Sequence, residues 1–475
     1  MRAPARARII ARSVLGLTAC LLGGCATLRT TLSGYATGAH GISRPQQRLR
    51  DALARGDFKA ALAWHEDDEL LRRLDVGIAS YYAAQFGRSA AVLDSAALLA
   101  DDRVTASLSK DALALVTSDL ARPYQPRRTE RLFIPYYAML AYARLEQWED
   151  AAVEARRLSS LLAQYADDRD DRERDLHGTL HELAGAVFER AGEPGDAAVS
   201  YRLAKALMPA LADAAGRATA PDTLTGEVLV VVERGYVAHR VTQTMELDFD
   251  TDERDSLRVR DGGWGSHGDR TTQASARAVP TGRPLLTPPA LLSGRRHHAD
   301  DDDDYHMTIA FPALRRSARP FGATLRAGVE GDTVGVRGIV AQVDDASAVD
   351  EGRERGAIIA RAAARAAAKY AVVKAVRDKK GDVAGSLANF GASLLERADV
   401  RSWHLLPSEI ALVRLRLPAG RQRVVLRIGE GALARSVDVG TVLVRPGSVQ
   451  VAPVRLWQAP PPAPVAPPDS LQPRP

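Results

Sequence analysis

Arg55-Gly56-Asp57-Phe58-Lys59-Ala60-Ala61-Leu62 is a short turn followed by a pair of alanines, and the chain repeats that unit three times. The later copies are Gln85-Phe86-Gly87-Arg88-Ser89-Ala90-Ala91-Val92, Glu146-Gln147-Trp148-Glu149-Asp150-Ala151-Ala152-Val153 and Gly192-Glu193-Pro194-Gly195-Asp196-Ala197-Ala198-Val199. In each copy a polar, glycine-tolerant turn precedes two side chains small enough to let helices approach closely. Around these units, from 45 to 215, alanine and leucine are dense, prolines are few, and apolar residues recur at three- and four-residue steps, which predicts amphipathic helices. Helix-turn-helix units repeated along a chain read as stacked hairpins. The alanine pairs fall at irregular steps, so the alternative is a non-repeating helical bundle.

Working outward toward the C-terminus, the composition changes near Pro221. Glu227-Val228-Leu229-Val230-Val231-Val232-Glu233 is a short β-branched run ended by Arg234-Gly235, which predicts a strand with Tyr236–Val241 returning beside it. Further strands are expected at 307–311, 323–327, 334–343, 424–428, 436–444 and 448–454. The polar, Gly/Pro-rich stretch 251–304 predicts a disordered surface loop. An Ala-rich helical insert is expected over 353–398, broken at Gly381. Within it Arg361, Arg365 and Lys369 stand four apart on one face. They form either a basic stripe for an anionic ligand or a solvated helix face. The last segment, 457–475, holds eight prolines and predicts an extended tail. The fold class expected is α+β multidomain. Its N-terminal α-helical hairpin repeats are tetratricopeptide-like, and its C-terminal β-rich domain, over 222–456, is sandwich-like.

Working outward toward the N-terminus, Arg2, Arg6, Arg8 and Arg12 precede an apolar run from Val14 to Leu22. That run is too short to cross a hydrocarbon core of roughly 30 Å, and its order is that of a secretory signal. It ends in Leu22-Gly23-Gly24-Cys25, which resembles the bacterial lipobox. The small residues admit a peptidase, and the thiol accepts a diacylglycerol. The resemblance implies a signal peptide over 1–24, cleavage before Cys25, and a covalent diacylglycerol and N-acyl chain on Cys25. Residues 25–44 would form the lipidated tether. Ala26 after the cysteine favours the outer membrane, on its periplasmic face, and the membrane is thus the first expected partner.

The net charge of +5 and the pI near 9.2 overstate how basic the mature protein is. Of the 64 Lys and Arg, four lie in the signal, which leaves 60 against 59 Asp and Glu. A near-neutral body has no electrostatic footing for nucleic acid. Both cysteines, Cys20 and Cys25, lie at the N-terminus, so no disulfide framework or cysteine-based zinc site is expected in the mature chain.

Several short runs look like one family. They are Pro123-Tyr124, Tyr136-Tyr137, Glu154-Ala155-Arg156-Arg157 and, most distinctive, Asp399-Val400-Arg401-Ser402-Trp403 with Leu406-Pro407. Together they resemble an uncharacterised family of bacterial lipoproteins joining a tetratricopeptide-like region to a C-terminal β-rich domain. The resemblance implies architecture more than activity. In Asp399, Arg401, Ser402 and Trp403, the aspartate and arginine could pair and the indole plug the sheet, or the cluster could bind a partner.

No Gly-x-Ser-x-Gly elbow, His-Glu-x-x-His pair or phosphate loop appears. His177 and His181 lie four apart on an expected helix and could face one metal. His297, His298, Asp301, Asp303 and His306 form a His/Asp-rich run whose carboxylates suit Ca²⁺ and whose imidazoles suit a softer ion, without the spacing of a defined calcium loop. The reading from sequence is a non-enzymatic interaction scaffold, without cofactor, that holds an envelope protein and assists cell-envelope biogenesis. The alternatives are an enzyme acting on cell-wall material and an envelope metal or ligand sensor using the His/Asp-rich loop.

Overall fold

The computed structural model describes residues 42–114, 120, 122–211, 224–250, 256–260, 305–316, 324–332, 335–380, 398–430 and 434–457. Among the described residues, eight α-helices precede the first strand: α1 (Arg44–Ala54), α2 (Phe58–Leu62), α3 (Glu69–Tyr82), α4 (Phe86–Ala114), α5 (Arg128–Arg144), α6 (Trp148–Gln164), α7 (Arg174–Arg190) and α8 (Pro194–Leu207). They pair as four hairpins, and the quoted repeat is the turn of each. Gly56, Ala84, Glu146 and Gly192 all adopt the left-handed conformation, with φ of +74°, +57°, +57° and +77°. In each turn the following amide donates to a carbonyl five residues back: Asp57 to Ala52 at 2.8 Å, Gln85 to Ser80 at 2.9 Å, Gln147 to Tyr142 at 3.1 Å and Glu193 to Phe188 at 2.9 Å. These are four copies of one Schellman stop, which satisfies the orphan carbonyls of the first helix before the second begins.

The crossing of each hairpin follows from side-chain size. A Cβ on Gly77 of α3 would lie 2.6 Å from Leu93 of α4, and one on Gly185 of α7 would lie 2.6 Å from the Tyr201 ring of α8. Gly77 and Gly185 stand seven residues before their turns, and Leu93 and Tyr201 nine after. The same positions in the third hairpin hold Met139 and Ala155, both fully buried, with the large and small members exchanged. A constant summed volume keeps the core at protein packing density. The uneven steps between repeats come from the 29-residue α4 and from the longer connections before α5 and α7, the latter holding a short 3-10 helix at Asp171–Glu173.

Beyond residue 224 the strands are β1 (Thr225–Arg234), β2 (His239–Asp250), β3 (Ser256–Arg260), β4 (Tyr305–Arg315), β5 (Leu325–Val329), β6 (Val336–Arg337), β7 (Ile339–Gln342), β8 (Glu409–Pro418), β9 (Gly420–Ile428), β10 (Arg435–Val444) and β11 (Val449–Leu456). One sheet has the order β11-β1-β8-β7, a second β10-β9-β5-β6 and a third β3-β2-β4. The α+β class expected from the sequence is the one observed, with hairpins first and sheets after. The first two sheets enclose a core of Val228, Val230, Val232, Val413, Leu415 and Leu426, among others. The opposite face of β1, through Leu229 and Val231, joins the helical core with Leu180, Leu183 and Trp403. β1 is therefore covered on both faces, which is why it reads as a continuous apolar run instead of an alternating one.

Five expectations are corrected. The chain after Arg234 does not return beside β1, because β8 and β11 occupy its two edges. Instead Val237 donates its amide to Leu406 O at 2.8 Å, Ala238 donates to Asp344 Oδ1 at 2.6 Å, and β2 pairs with β3 and β4. The loop expected over 251–304 contains a strand, Ser256–Arg260, held in register against Glu246–Asp250; its other residues lie outside those described. The Ala-rich helix, α9 (Val343–Lys380), begins ten residues before 353, because Val343, Ala346 and Val349 bury a helical stripe directly after the strand expected over 334–343, which is present as β6 and β7 and stops at Gln342. Arg365, expected on an open basic or solvated face, is 2 % exposed; the Lys369 side chain and the expected helix beyond Gly381 lie outside the described residues. Finally, Trp457 does not belong to a free tail. Its ring lies 4.7 Å from that of Tyr82 and 5.5 Å from that of Tyr236, with the Arg455 guanidinium 4.5 Å over it. The prolines beyond it are outside the described residues.

Candidate interaction site

Leu22, Gly23, Gly24 and Cys25 lie outside the described residues, as do His297, His298, Asp301 and Asp303. His306 stands in β4 opposite Asp248 of β2. Among the described residues no three His, Cys, Asp or Glu side chains gather as metal ligands would, and no helix is long and apolar enough to cross a membrane. His177 and His181 share the buried face of α7. Burial lowers both imidazoles to about 4, and among the described residues the Nδ1 atom of each has no hydrogen-bond partner.

The Asp399–Trp403 motif lies where the helical array meets the sheets. Arg401 takes Asp399 in a two-point pair, Nε to Oδ1 at 2.8 Å and Nη2 to Oδ2 at 2.7 Å. The same guanidinium reaches across to the array, with Nη2 donating to Arg122 O at 2.7 Å and Nη1 standing 3.6 Å from Asp68. Asp68 also accepts from the Leu70 amide at 2.9 Å, capping α3, and from Arg103 at 2.8 Å and the Tyr124 amide at 3.1 Å. Burial pushes the Asp68 carboxyl up, but Arg103 and the Leu71 and Tyr124 amides outweigh it and hold the group below its ordinary value. Trp403 is fully buried against the Tyr137 ring at 6.2 Å, and its amide donates to Glu130 Oε1 of α5 at 2.7 Å. Ser402 is half-buried beside it, its carbonyl accepting from the His404 amide. The pairing of Asp399 with Arg401 read from the sequence is present, and it clasps the helices as well as the local turn.

Further residues extend this junction, among them Arg414 and Tyr136 of the family-like runs, and Glu233, Arg50 and Arg127, which the sequence did not mark as a site. Glu233, at the end of β1, is 0 % exposed and accepts from Tyr136 at 3.0 Å and from Tyr82. Burial raises both phenols, and the Glu233 charge adds to it. Arg50 of α1 donates to His404 O at 2.6 Å and stacks 4.5 Å over Tyr236. Arg414 of β8 bridges Glu182 of α7 and Glu227 of β1, each at 2.6 Å. Arg127 pairs with Glu351 and, at 2.9 Å, with Glu354 of α9. Apart from Arg414–Glu227, which lies within one sheet, these contacts cross from the array to the C-terminal half or to α9. One signal was legible: Glu233 has the parity of Leu229 and Val231, so the three side chains leave β1 on one face, which the structure turns toward the helices.

An open groove lies over α3 and α4, just past the end of α2. Its volume is about 530 Å³. Leu62, Trp64, Val76 and Val92 form an apolar floor, and His65, Arg72, Arg73 and Arg88 form a basic rim. Arg73 pairs with Glu69 and donates to Ser95 O at 3.1 Å. Arg88 donates to Gln85 at 3.3 Å, and among the described residues neither it nor Arg72 has a carboxylate within ion-pair distance. Next to the groove residues Arg73 and Val76 in the chain, Asp75 is fully buried, among the described residues neither oxygen has a well-formed hydrogen bond, and burial raises its carboxyl well above the ordinary value.

No family model matches the chain, and no curated protein matches it. Solved structures that do match include "MamA 41-end from Desulfovibrio magneticus RS-1" and "MamA RS-1 ArsTM double mutant". Each is 19 % identical, covers 37 % of this chain and 98 % of its own, and has a TM-score of 0.16.

Proposed function

We propose that this chain is an outer-membrane-anchored periplasmic lipoprotein that acts as an interaction scaffold in cell-envelope biogenesis. The observation that carries this reading is how the array is mounted. Its first helices, chiefly α5 and α7, take the contacts to the sheets and to α9, through buried pairs such as Arg414 with Glu182 and Arg127 with Glu351. The second helices are left as the outer layer. Leu98 of α4, Val153 of α6 and Val199 of α8 stand 63 %, 53 % and 45 % exposed on it. Stacked hairpins held on a rigid support present an extended surface to protein segments. The lipobox-like Leu22-Gly23-Gly24-Cys25 supports the anchor, since two or more acyl chains hold a protein stably on a bilayer.

Fractionation tests the anchor: Cys25→Ser should move the protein from the membrane to the soluble periplasmic fraction with its fold unchanged, and a variant that stays in the membrane sinks the assignment. Crosslinked co-purification from envelopes tests the scaffold. A cell-wall or outer-membrane assembly protein should be recovered; recovery of none, with normal envelope integrity in a deletion strain, counts against it.

A further inference from the structure

The first hairpin is incomplete. Its second helix, α2, has 5 residues, whereas α4, α6 and α8 have 29, 17 and 14. Nine residues past the left-handed turn, the later hairpins place Leu93, Ala155 and Tyr201, all buried in the hairpin core. The first hairpin places His65 there, exposed and outside any helix. Continued by a few turns, α2 would lie along α3 and α4. The groove occupies that strip, bounded by Leu62 at the stump of α2, by Val76 of α3 and by Val92 of α4.

We infer that this groove receives an amphipathic helical segment of a partner protein, apolar on one face and carboxylate-rich along its edges, which completes the first hairpin. The inference rests on the scaffold reading and specifies its partner's chemistry. The apolar floor suits anchors spaced one helical turn apart, the mode in which a helix lies in a groove. Arg72 and Arg88 supply the charge preference, because they stand on the rim without carboxylate partners among the described residues. An acidic segment gains at both, and a basic one is repelled. A lipid headgroup would answer the two arginines but would leave the apolar residues between them, Leu62, Val76 and Val92, uncovered.

The test is fluorescence anisotropy with the full chain and two labelled peptides of about 14 residues, a length with marginal helicity on its own. Both carry leucine at helical spacing; one is flanked by glutamate and the other by lysine. The glutamate peptide should bind, and the double variant Arg72→Glu/Arg88→Glu should weaken it at least about tenfold. Val92→Asp, which leaves the rim intact, should also weaken it, and circular dichroism checks that each variant keeps its helices. Equal affinity of the two peptides, binding of neither, or an affinity indifferent to Arg72 and Arg88 overturns the inference. So does binding that appears only with phosphatidylglycerol vesicles. The envelope crosslinking separates this inference from the scaffold reading. A partner recovered equally by wild type and double variant removes the groove and leaves the scaffold. Peptide binding with no envelope partner does the reverse.

Discussion

A histidine placed in a protein interior keeps its neutral form, and the two on α7 show what that costs when acid is added. Ordinary imidazoles take up a proton near 6.5, whereas burial lowers His177 and His181 to about 4. Between those values the unfolded chain binds more protons than the folded one, so stability falls as pH falls from 6.5 toward 4. The loss is on the order of 3 kcal/mol for each histidine. Replacing both with leucine should flatten the stability profile across that window without altering it above pH 7; urea denaturation at a series of pH values measures it. A double variant with an unchanged acid slope would show that other groups carry the dependence. Four-residue spacing suggested a metal pair in the sequence, but spacing does not report burial.

The hairpin turns are the elements where sequence and geometry agree least economically. All four need a left-handed residue, and two have glycine there while Ala84 and Glu146 do the same with a side chain. An L-residue in that conformation costs roughly 1 kcal/mol more than glycine. Ala84→Gly should therefore raise stability by about 0.5–1 kcal/mol, and Gly192→Ala should lower it by a similar amount. Glu146→Gly should gain less, since it also gives up a 3.4 Å pair with Arg445. Differential scanning calorimetry reads all three, and a loss of stability in Ala84→Gly would contradict the shared-turn interpretation. These turns were legible because four copies sit in one sequence. The pairing of β2 was not, since nothing in Tyr236–Val241 shows that both edges of β1 are already taken by residues about 180 and 220 positions later. The helical start at Val343 was missed for a related reason. The residues after it, Asp344-Asp345-Ala346-Ser347-Ala348-Val349, are mostly polar or small, and what marks them as helical is the burial of Ala346 and Val349 on one stripe.

At the scale of the molecule, the array and the sheets are joined by charges out of water, not by apolar contact alone. Such pairs are costly to break from one side, because the remaining ion stays buried. Arg414→Ala leaves Glu182 without its 2.6 Å partner in the interior and should destabilise the protein by about 3–5 kcal/mol. Replacing Arg414, Glu182 and Glu227 together with apolar residues of similar volume should recover most of that loss. Equal losses in the single and triple variants, by chemical denaturation, would mean that the triad is not acting as a unit. The candidate site divides in the same way. The Asp399–Arg401 pair was readable from neighbouring residues, whereas its clasp on Arg122 and Asp68 spans some 280 and 330 positions. Likewise, the groove over α3 and α4 could not be foreseen, because it is made by the shortness of α2.

The parallel pairing of β11 with β1 sets an order of events in assembly. β1 is made near the middle of the chain, yet its second edge is filled only by residues 449–456. The helical hairpins close over local contacts and can form early, while the central strand waits for the last one, and such long-range closure is slow. In that interval β1 offers an open, valine-rich edge, a template for pairing with another chain. A chain stopped before residue 449 would hold this edge open permanently and would also lack Arg455, which packs against Tyr82, Tyr236 and Trp457. Loss of the final strand should thus appear in the cell as aggregation and turnover of the whole polypeptide, not as a shortened protein with one function missing.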